Sequence, residues 1–395
     1  MLEGIRIMAF THFMQGPVAA QMLGDFGADV IKIEAPTGPY ERGWSGMDAF
    51  HNGMSNCFLS ANRNQRSLSV DMRSNEGREV LRRLLKTTDV ILENYRPGVL
   101  EKYGFGYDQL KDEYPQLIYA SLSGFGPDGP YKTRPGQDMI AQGMSGLASL
   151  NGRSTHPPVT VGAPIVDVHS GSLAAFGIVS ALMNRERTGK GHKIDACLIN
   201  SALHLQIEVL GCYLSKGYLF DKLPTGAATR AYEAPYGVYE TADGSIILSK
   251  TPIPKCRILF GAEHFEGFKD EEIYTRREQI DEIVSREMKK KPTAEWEIIF
   301  AENDCWFSRI KEYDEVVKDP QVVHNGIIVE MDHPVAGKLK VLGNPLFVDG
   351  KLPGIKKYPP LQGEHTVEIM KECGYSQADI DDLLERGVVV RKTTP

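Results

Sequence analysis

Leu68-Ser69-Val70, then Val80-Leu81 and Leu84-Leu85, then Val90-Ile91-Leu92: over residues 68–92 the chain passes from a short apolar run to a helical stripe and back. The outer runs are short and rich in branched residues, the pattern of strands. The middle stretch repeats its apolar pairs four residues apart, so a helix there buries one stripe. Strand, helix and strand in this order make a parallel crossover unit. The alternation extends outward to Ile5-Arg6-Ile7-Met8 and Val30-Ile31-Lys32-Ile33 on one side. On the other it reaches Leu117-Ile118-Tyr119 and Ile194-Asp195-Ala196, with Leu173, Phe176, Val179 and Leu182 at helical spacing between them. An α/β fold with a doubly wound parallel sheet is expected for this part of the chain.

Near Pro224-Thr225-Gly226 the pattern changes. Tyr236-Gly237-Val238-Tyr239 and Ile246-Ile247-Leu248 flank the turn residues Ala242-Asp243-Gly244, which predicts a hairpin and a smaller α+β domain. A charged helical stretch follows from Tyr274 to Asn303, and Ile328-Val329-Glu330 and Leu339-Lys340-Val341 return to strand character. Residues Glu364 to Glu385 read as two helices broken at Gly374 that pack back on the first domain. The expected division is a large domain over 1–223, a small domain over 224–326, and a segment over 327–395 returning to the large domain.

The 395 residues suffice for two or three domains, and 42% hydrophobic with 25% charged residues is an ordinary globular composition. Lys and Arg number 45 against 52 Asp and Glu, a net charge of -7 with no dense basic run, which argues against nucleic-acid binding. The six cysteines are far apart and form no C-x-x-C pair, so reduced thiols are expected. Met1-Leu2-Glu3-Gly4 has no signal-peptide pattern, and no run reaches the ~18 apolar residues of a membrane span, so a cytoplasmic location is expected.

Gly124-Phe125-Gly126-Pro127-Asp128-Gly129 matches the spacing of a dinucleotide fingerprint, but Pro127 and Pro130 prevent a helix from opening there. A glycine-rich loop is predicted instead. The histidines form no H-x-x-x-H or H-E-x-x-H pattern, and there is no G-x-S-x-G elbow; no metal site is expected. Asp167 stands between an apolar run and the helical stripe that starts near Leu173, where the plain interpretation is a helix-capping carboxylate. His169, two residues on, reads as a capping or hydrogen-bonding histidine.

A series of blocks carries more specific information. Leu2-Glu3-Gly4-Ile5-Arg6, Gly16-Pro17, Gly27-Ala28-Asp29-Val30-Ile31-Lys32-Ile33-Glu34, Asn62-Arg63-Asn64-Gln65-Arg66-Ser67 and Glu93-Asn94-Tyr95-Arg96-Pro97-Gly98 stand in the first half. Ser123-Gly124-Phe125-Gly126, Gly136-Gln137-Asp138, Thr188-Gly189-Lys190-Gly191, Ala234-Pro235-Tyr236-Gly237 and Asp319-Pro320-Gln321 follow. In this order they resemble the family III CoA-transferases, the CaiB/BaiF family, over nearly the whole chain. The resemblance implies that Asp167 is the catalytic aspartate, attacking an acyl-CoA thioester to give a mixed anhydride and then an aspartyl-CoA thioester. It also implies an interlocked homodimer, acyl-CoA and a free carboxylic acid as substrates, and no permanently bound cofactor.

Gln137 occupies the place where the racemase branch of the family has a histidine. An amide cannot take and return an α-proton at neutral pH, so transfer is preferred over racemisation or another isomerisation. A CoA-binding protein without catalysis is a third alternative. Gln137 is expected to donate a hydrogen bond to an acyl oxygen, and Gly136, Gly162 and Gly171 are candidates for close main-chain approach to an oxyanion. For CoA the resemblance points to the loops carrying His12, Gln15, Ala35-Pro36, Asn94, Tyr95, Arg96 and Lys102, with Arg42, Arg63 and Arg66 as further sources of phosphate-binding charge. Arg42 and Arg230 are candidate carboxylate anchors, because guanidinium forks suit bidentate recognition. Only Gly226-Ala227-Ala228 corresponds to the glycine run that shields the intermediate in the formyl-CoA branch.

Overall fold

The computed structural model describes the chain apart from residues 220, 226–230, 393 and 395. It forms two compact units, one of residues 1–141, 164–201 and 320–395, the other of 142–163 and 202–319. The C-terminal segment lies in the large unit, and the division differs from a cut at 223/224. Among the described residues, 142–163 and 202–223 add no strand to the large unit's sheet, and they fall in the second unit.

In the first unit, β1 (Arg6–Phe10), β2 (Asp29–Glu34), β3 (Gln65–Val70), β4 (Val90–Glu93), β5 (Ile118–Ser123) and β6 (Lys193–Cys197) pair in parallel in the order β3-β2-β1-β4-β5-β6. All six apolar runs are therefore strands. The order reverses at β1, whose Met8 lies opposite Ile31 of β2 and Ile91 of β4. Open sheets of this kind bind ligands outside the carboxyl ends of the strands at such a reversal.

The continuous apolar runs arise because each strand is covered on both faces. Met8, Phe10, Ile31, Ile33, Leu68 and Ile91 face one core with Val80, Leu81, Leu84 and Leu85 of α2 (Asn75–Leu85). Ile7, Ala9, Val30, Val90 and Leu92 face the other, with Ala19, Ala20 and Leu23 of α1 (Gln15–Asp25). That core also holds Ala174, Ile178 and Leu182 of α3 (Ile165–Thr188). Although α3 has the length and composition to cross a membrane, this face makes it a core helix of the unit. The start of α2 is specified locally: Ser74 caps it by accepting from the Gly77 amide at 2.9 Å. A Cβ on Gly77 would lie 2.0 Å from the Asp71 carbonyl oxygen, so the turn has no room for a side chain.

The helices Thr366–Glu372 and Gln377–Glu385, broken at Gly374, place Ile369, Met370, Ile380 and Leu383 in the first core. The strand Val389–Val390 then pairs antiparallel with β3 at the sheet edge. Strands Ile328–His333 and Gly337–Leu342 form a hairpin whose Met331 and Leu339 pack with Met54 and Leu59.

In the second unit, Gly237–Glu240 and Ser245–Ser249 form the expected hairpin, extended by Trp306–Arg309 into a three-stranded antiparallel sheet. The charged stretch from Tyr274 splits into Arg277–Met288 and Thr293–Glu302, separated before Pro292, which begins the second helix as its cap. Trp296 and Phe300 stack in that unit's core.

Candidate active site

The loops leaving β1 and β4 meet where the strand order reverses. The His12 amide donates to Asn94 Oδ1 and Asn94 Nδ2 donates to the His12 carbonyl, both at 2.9 Å. The His12 ring closes the same contact by donating from Nε2 to the Asn94 carbonyl at 2.9 Å. Burial holds the His12 pKa below its ordinary value, so a neutral ring fits this role. Tyr95 packs edge-on against the imidazole with ring centroids 5.3 Å apart. Gly16 fits beneath, since a Cβ there would lie 2.7 Å from Thr11 Cγ2. Gln15, buried at the start of α1, donates from Nε2 to Ser170 Oγ on α3 at 2.8 Å. His12, Gln15, Asn94 and Tyr95 therefore belong to one constellation that reaches α3.

Glu93 at the end of β4 supports it from below. Its carboxyl accepts the Ser121 hydroxyl of β5 and, at 2.9 Å, the Tyr95 amide. Burial pushes its pKa up to about 7 despite these two bonds.

Arg96 and Lys102 are exposed beyond the β4 loop. The other three arginines are structural in their contacts. Arg42 forks onto Glu34 at 2.6 and 2.8 Å, donates to the Pro360 carbonyl and lies over the Phe58 ring. Arg63 forks onto Asp25 at 2.9 and 2.6 Å and reaches the Leu342 carbonyl at 2.7 Å. Arg66 holds Asp29, Glu368 and Glu372. Each joins the parallel sheet or α1 to the C-terminal segment, and none is a solvated surface cation. Arg230, with Gly226-Ala227-Ala228, lies outside the described residues.

Asp167 is the third residue of α3, but it does not cap the helix. That role belongs to Asp138, whose Oδ2 accepts the amides of Val166 at 2.7 Å and Asp167 at 2.9 Å. The Asp167 pKa rises from 3.8 to about 7, first because protein crowds the carboxyl and second because of the Asp138 charge. His169 turns Nδ1 to Ser201 Oγ at 2.8 Å, the hydrogen-bonding role expected of it.

Asp138 is the site residue that sequence reasoning missed. It stands in the Gly136-Gln137-Asp138 block, but its partners are 28 and 29 residues away. The glycines place it: a Cβ on Gly136 would lie 2.4 Å from Gly124 Cα, so the backbone after β5 and the backbone before Asp138 run in contact. Gly171 likewise approaches the Gln15 carbonyl, to which a Cβ would come within 2.6 Å, whereas Gly162 has open space around it. Gln137 is exposed beside Asp138. No helix opens at Gly124–Gly129; the Gly126 amide is taken by Ser123 Oγ in a turn.

A carboxyl at a helix start, close to neutral pKa and beside the ligand end of a parallel sheet, suits covalent exchange of acyl groups. Residues 2–366 match the model of the CoA-transferase family III. The succinyl-CoA:glutarate CoA-transferase of Mus musculus is 34% identical over 402 residues, covering all of this chain and 91% of that protein. The formyl-CoA:oxalate CoA-transferase of Rhodopseudomonas palustris is 32% identical over 415 residues, covering 98% of this chain and 96% of that protein. The crystal structure of a CaiB/BaiF family protein from Brucella suis aligns with a TM-score of 0.80 at 30% identity, over 94% of this chain and 99% of that one.

Proposed function

This chain belongs to CoA-transferase family III, enzymes that move CoA between acids, and from that premise we propose that it works through a covalent intermediate on Asp167. An Asp167 oxygen attacks the thioester carbon, the carbon–sulfur bond breaks, and CoA leaves as the thiolate. The thiolate then attacks the aspartyl carbonyl of the anhydride, releasing the first acid as its carboxylate and leaving an aspartyl-CoA thioester. The acceptor carboxylate runs these steps in reverse, so the thioester's free energy is carried through without an external source. The raised pKa of Asp167 carries this reading: a desolvated, repelled carboxylate is a better nucleophile than a solvated one.

CoA enters as a substrate along the loops of His12, Gln15, Asn94 and Tyr95, with the exposed Arg96 and Lys102 meeting its phosphates. The commitments of Arg42, Arg63 and Arg66 to carboxylates favour this division of labour. Gln137 donates to the acyl oxygen. The relatives act on succinyl-CoA with glutarate and on formyl-CoA with oxalate, and we assign short dicarboxylic acids as the first substrate class. The chain acts in the cytoplasm as an interlocked homodimer, a state favoured by α3, which leaves the apolar side chains of Val168, Leu173, Phe176 and Met183 exposed.

The test is a panel of mono- and dicarboxylic acids assayed with succinyl-CoA, using the wild type, Asp167→Ala and Asp167→Asn. Both variants should lose transfer while still binding CoA, and hydroxylamine should trap an adduct on Asp167 of the wild type only. Wild-type turnover by Asp167→Asn would refute the mechanism. Deuterium entering the α-carbon of a 2-methylacyl-CoA as fast as CoA is transferred would instead place racemisation first.

A further inference from the structure

A carboxylate in the first turn of a helix is ordinarily stabilised, since free amides and the positive end of the dipole face it. In α3 two of those donors are taken by another side chain. One buried oxygen of Asp138 accepts the amides of both Val166 and Asp167, so the helix start is satisfied by a second acid instead of by the nucleophile. We propose that Asp138 is the positioning residue of the reaction: it fixes the first turn that carries Asp167, and its charge drives Asp167 toward its acylated form.

The inference rests on the assignment of Asp167 as nucleophile and extends it. Above its raised pKa Asp167 carries a negative charge in the free enzyme, but it has none as an anhydride or a CoA thioester; the charge leaves with the thiolate or the released acid. A fixed neighbouring charge therefore penalises the free carboxylate and not the covalent states. Among the described residues around Asp167, Asp138 is the one whose charge acts on it in this way. Cys57, on the helix Asn56–Ala61, has a thiol pushed up by burial, then by Glu41, with Lys32 opposing and Asp167 adding a further push. A thiol kept protonated adds no charge. His169, on α3 itself, is turned to Ser201. The upward shift of Asp167, caused by burial and then by Asp138, agrees with this arrangement.

Asp138→Asn separates the two duties, because Asn retains an oxygen for the amides but loses the charge. Asp138→Glu keeps the charge and serves as the rescue. With aspartate carboxyls labelled by carbon-13, the Asp167 resonance is identified by its loss in Asp167→Asn, and its titration is followed without reference to turnover. In Asp138→Asn the Asp167 midpoint should fall by about one unit or more, the effect of removing a close like charge. The trapped aspartyl-CoA population should fall by about tenfold per unit. Asp138→Glu should restore both. An unchanged midpoint in a folded Asp138→Asn variant would overturn the proposal and leave Asp138 as a helix cap alone. Failure of the nucleophile assignment shows separately, as an active Asp167→Asn enzyme.

Discussion

Replacing Asp167 by Asn should make the protein more stable, and by an amount that depends on pH. The wild-type carboxyl ordinarily titrates near 3.8 and is raised to about 7 in the fold by burial and Asp138. A carboxyl with a raised folded pKa keeps its proton in the folded chain after the unfolded chain has released it. Stability is therefore undiminished below about pH 4, declines as the pH climbs toward 7, and stays at its lower level above that. At about 1.4 kcal/mol per unit the whole decline is about 4 kcal/mol, and partial solvation of the carboxyl brings this to about 2 kcal/mol. Asn has the same shape without the charge, so the variant escapes the decline. Thermal melts of both proteins at a series of pH values should show the Asn variant ahead by a few degrees at pH 8, with the gap closing toward pH 4. A gap that is independent of pH, or that favours the wild type at pH 8, would refute the electrostatic account.

Glu93 is buried with a pKa near 7, so Glu93→Gln should raise stability above pH 7 by up to about 3 kcal/mol and lose that advantage below pH 5, read by the same melts. Its effect on the apparent affinity for CoA should be small if Gln still accepts the Tyr95 amide, which isothermal titration measures. Arg63→Met leaves Asp25 buried without its fork and should cost about 3–5 kcal/mol, read as a lower melting temperature at unchanged pH dependence of catalysis; a melting temperature within a degree of the wild type would contradict the structural role.

The parallel strands were legible because burial on both faces demands runs such as Val90-Ile91-Leu92, and few other environments in a folded chain favour short runs of this kind. The break at Gly374 was legible because a left-handed turn there favours glycine, and the hairpin because Asp243-Gly244 is a turn pair with no room for a side chain, a Cβ on Gly244 coming within 2.8 Å of Thr293 Oγ1. What stayed hidden was carried by partners far along the chain. Arg66 looks the same in sequence whether it meets water, a phosphate or Glu368, 302 residues away, and only the fold decides. Asp138 caps a helix that begins 27 residues later, so the familiar capping signature next to the helix was sought in Asp167 itself. The strand Val389–Val390 is too short for any alternation to reveal, and its pairing depends on the exposed edge of β3.

That edge has a consequence for synthesis. Until residues 366–390 have been made, β3 offers an unpaired strand edge, and the first core lacks Ile369, Met370, Ile380 and Leu383. A nascent chain on the ribosome can build the crossover units in order yet cannot close this side of the sheet, so it travels with an adhesive edge that invites chaperones or self-association. Arg66, which holds Glu368 and Glu372, acts as a clasp that engages last, after Arg63 and Arg42 have met the Leu342 and Pro360 carbonyls. Stalled chains ending before residue 364 should therefore be cleaved by protease within the N-terminal sheet, and chains carrying the full segment should resist.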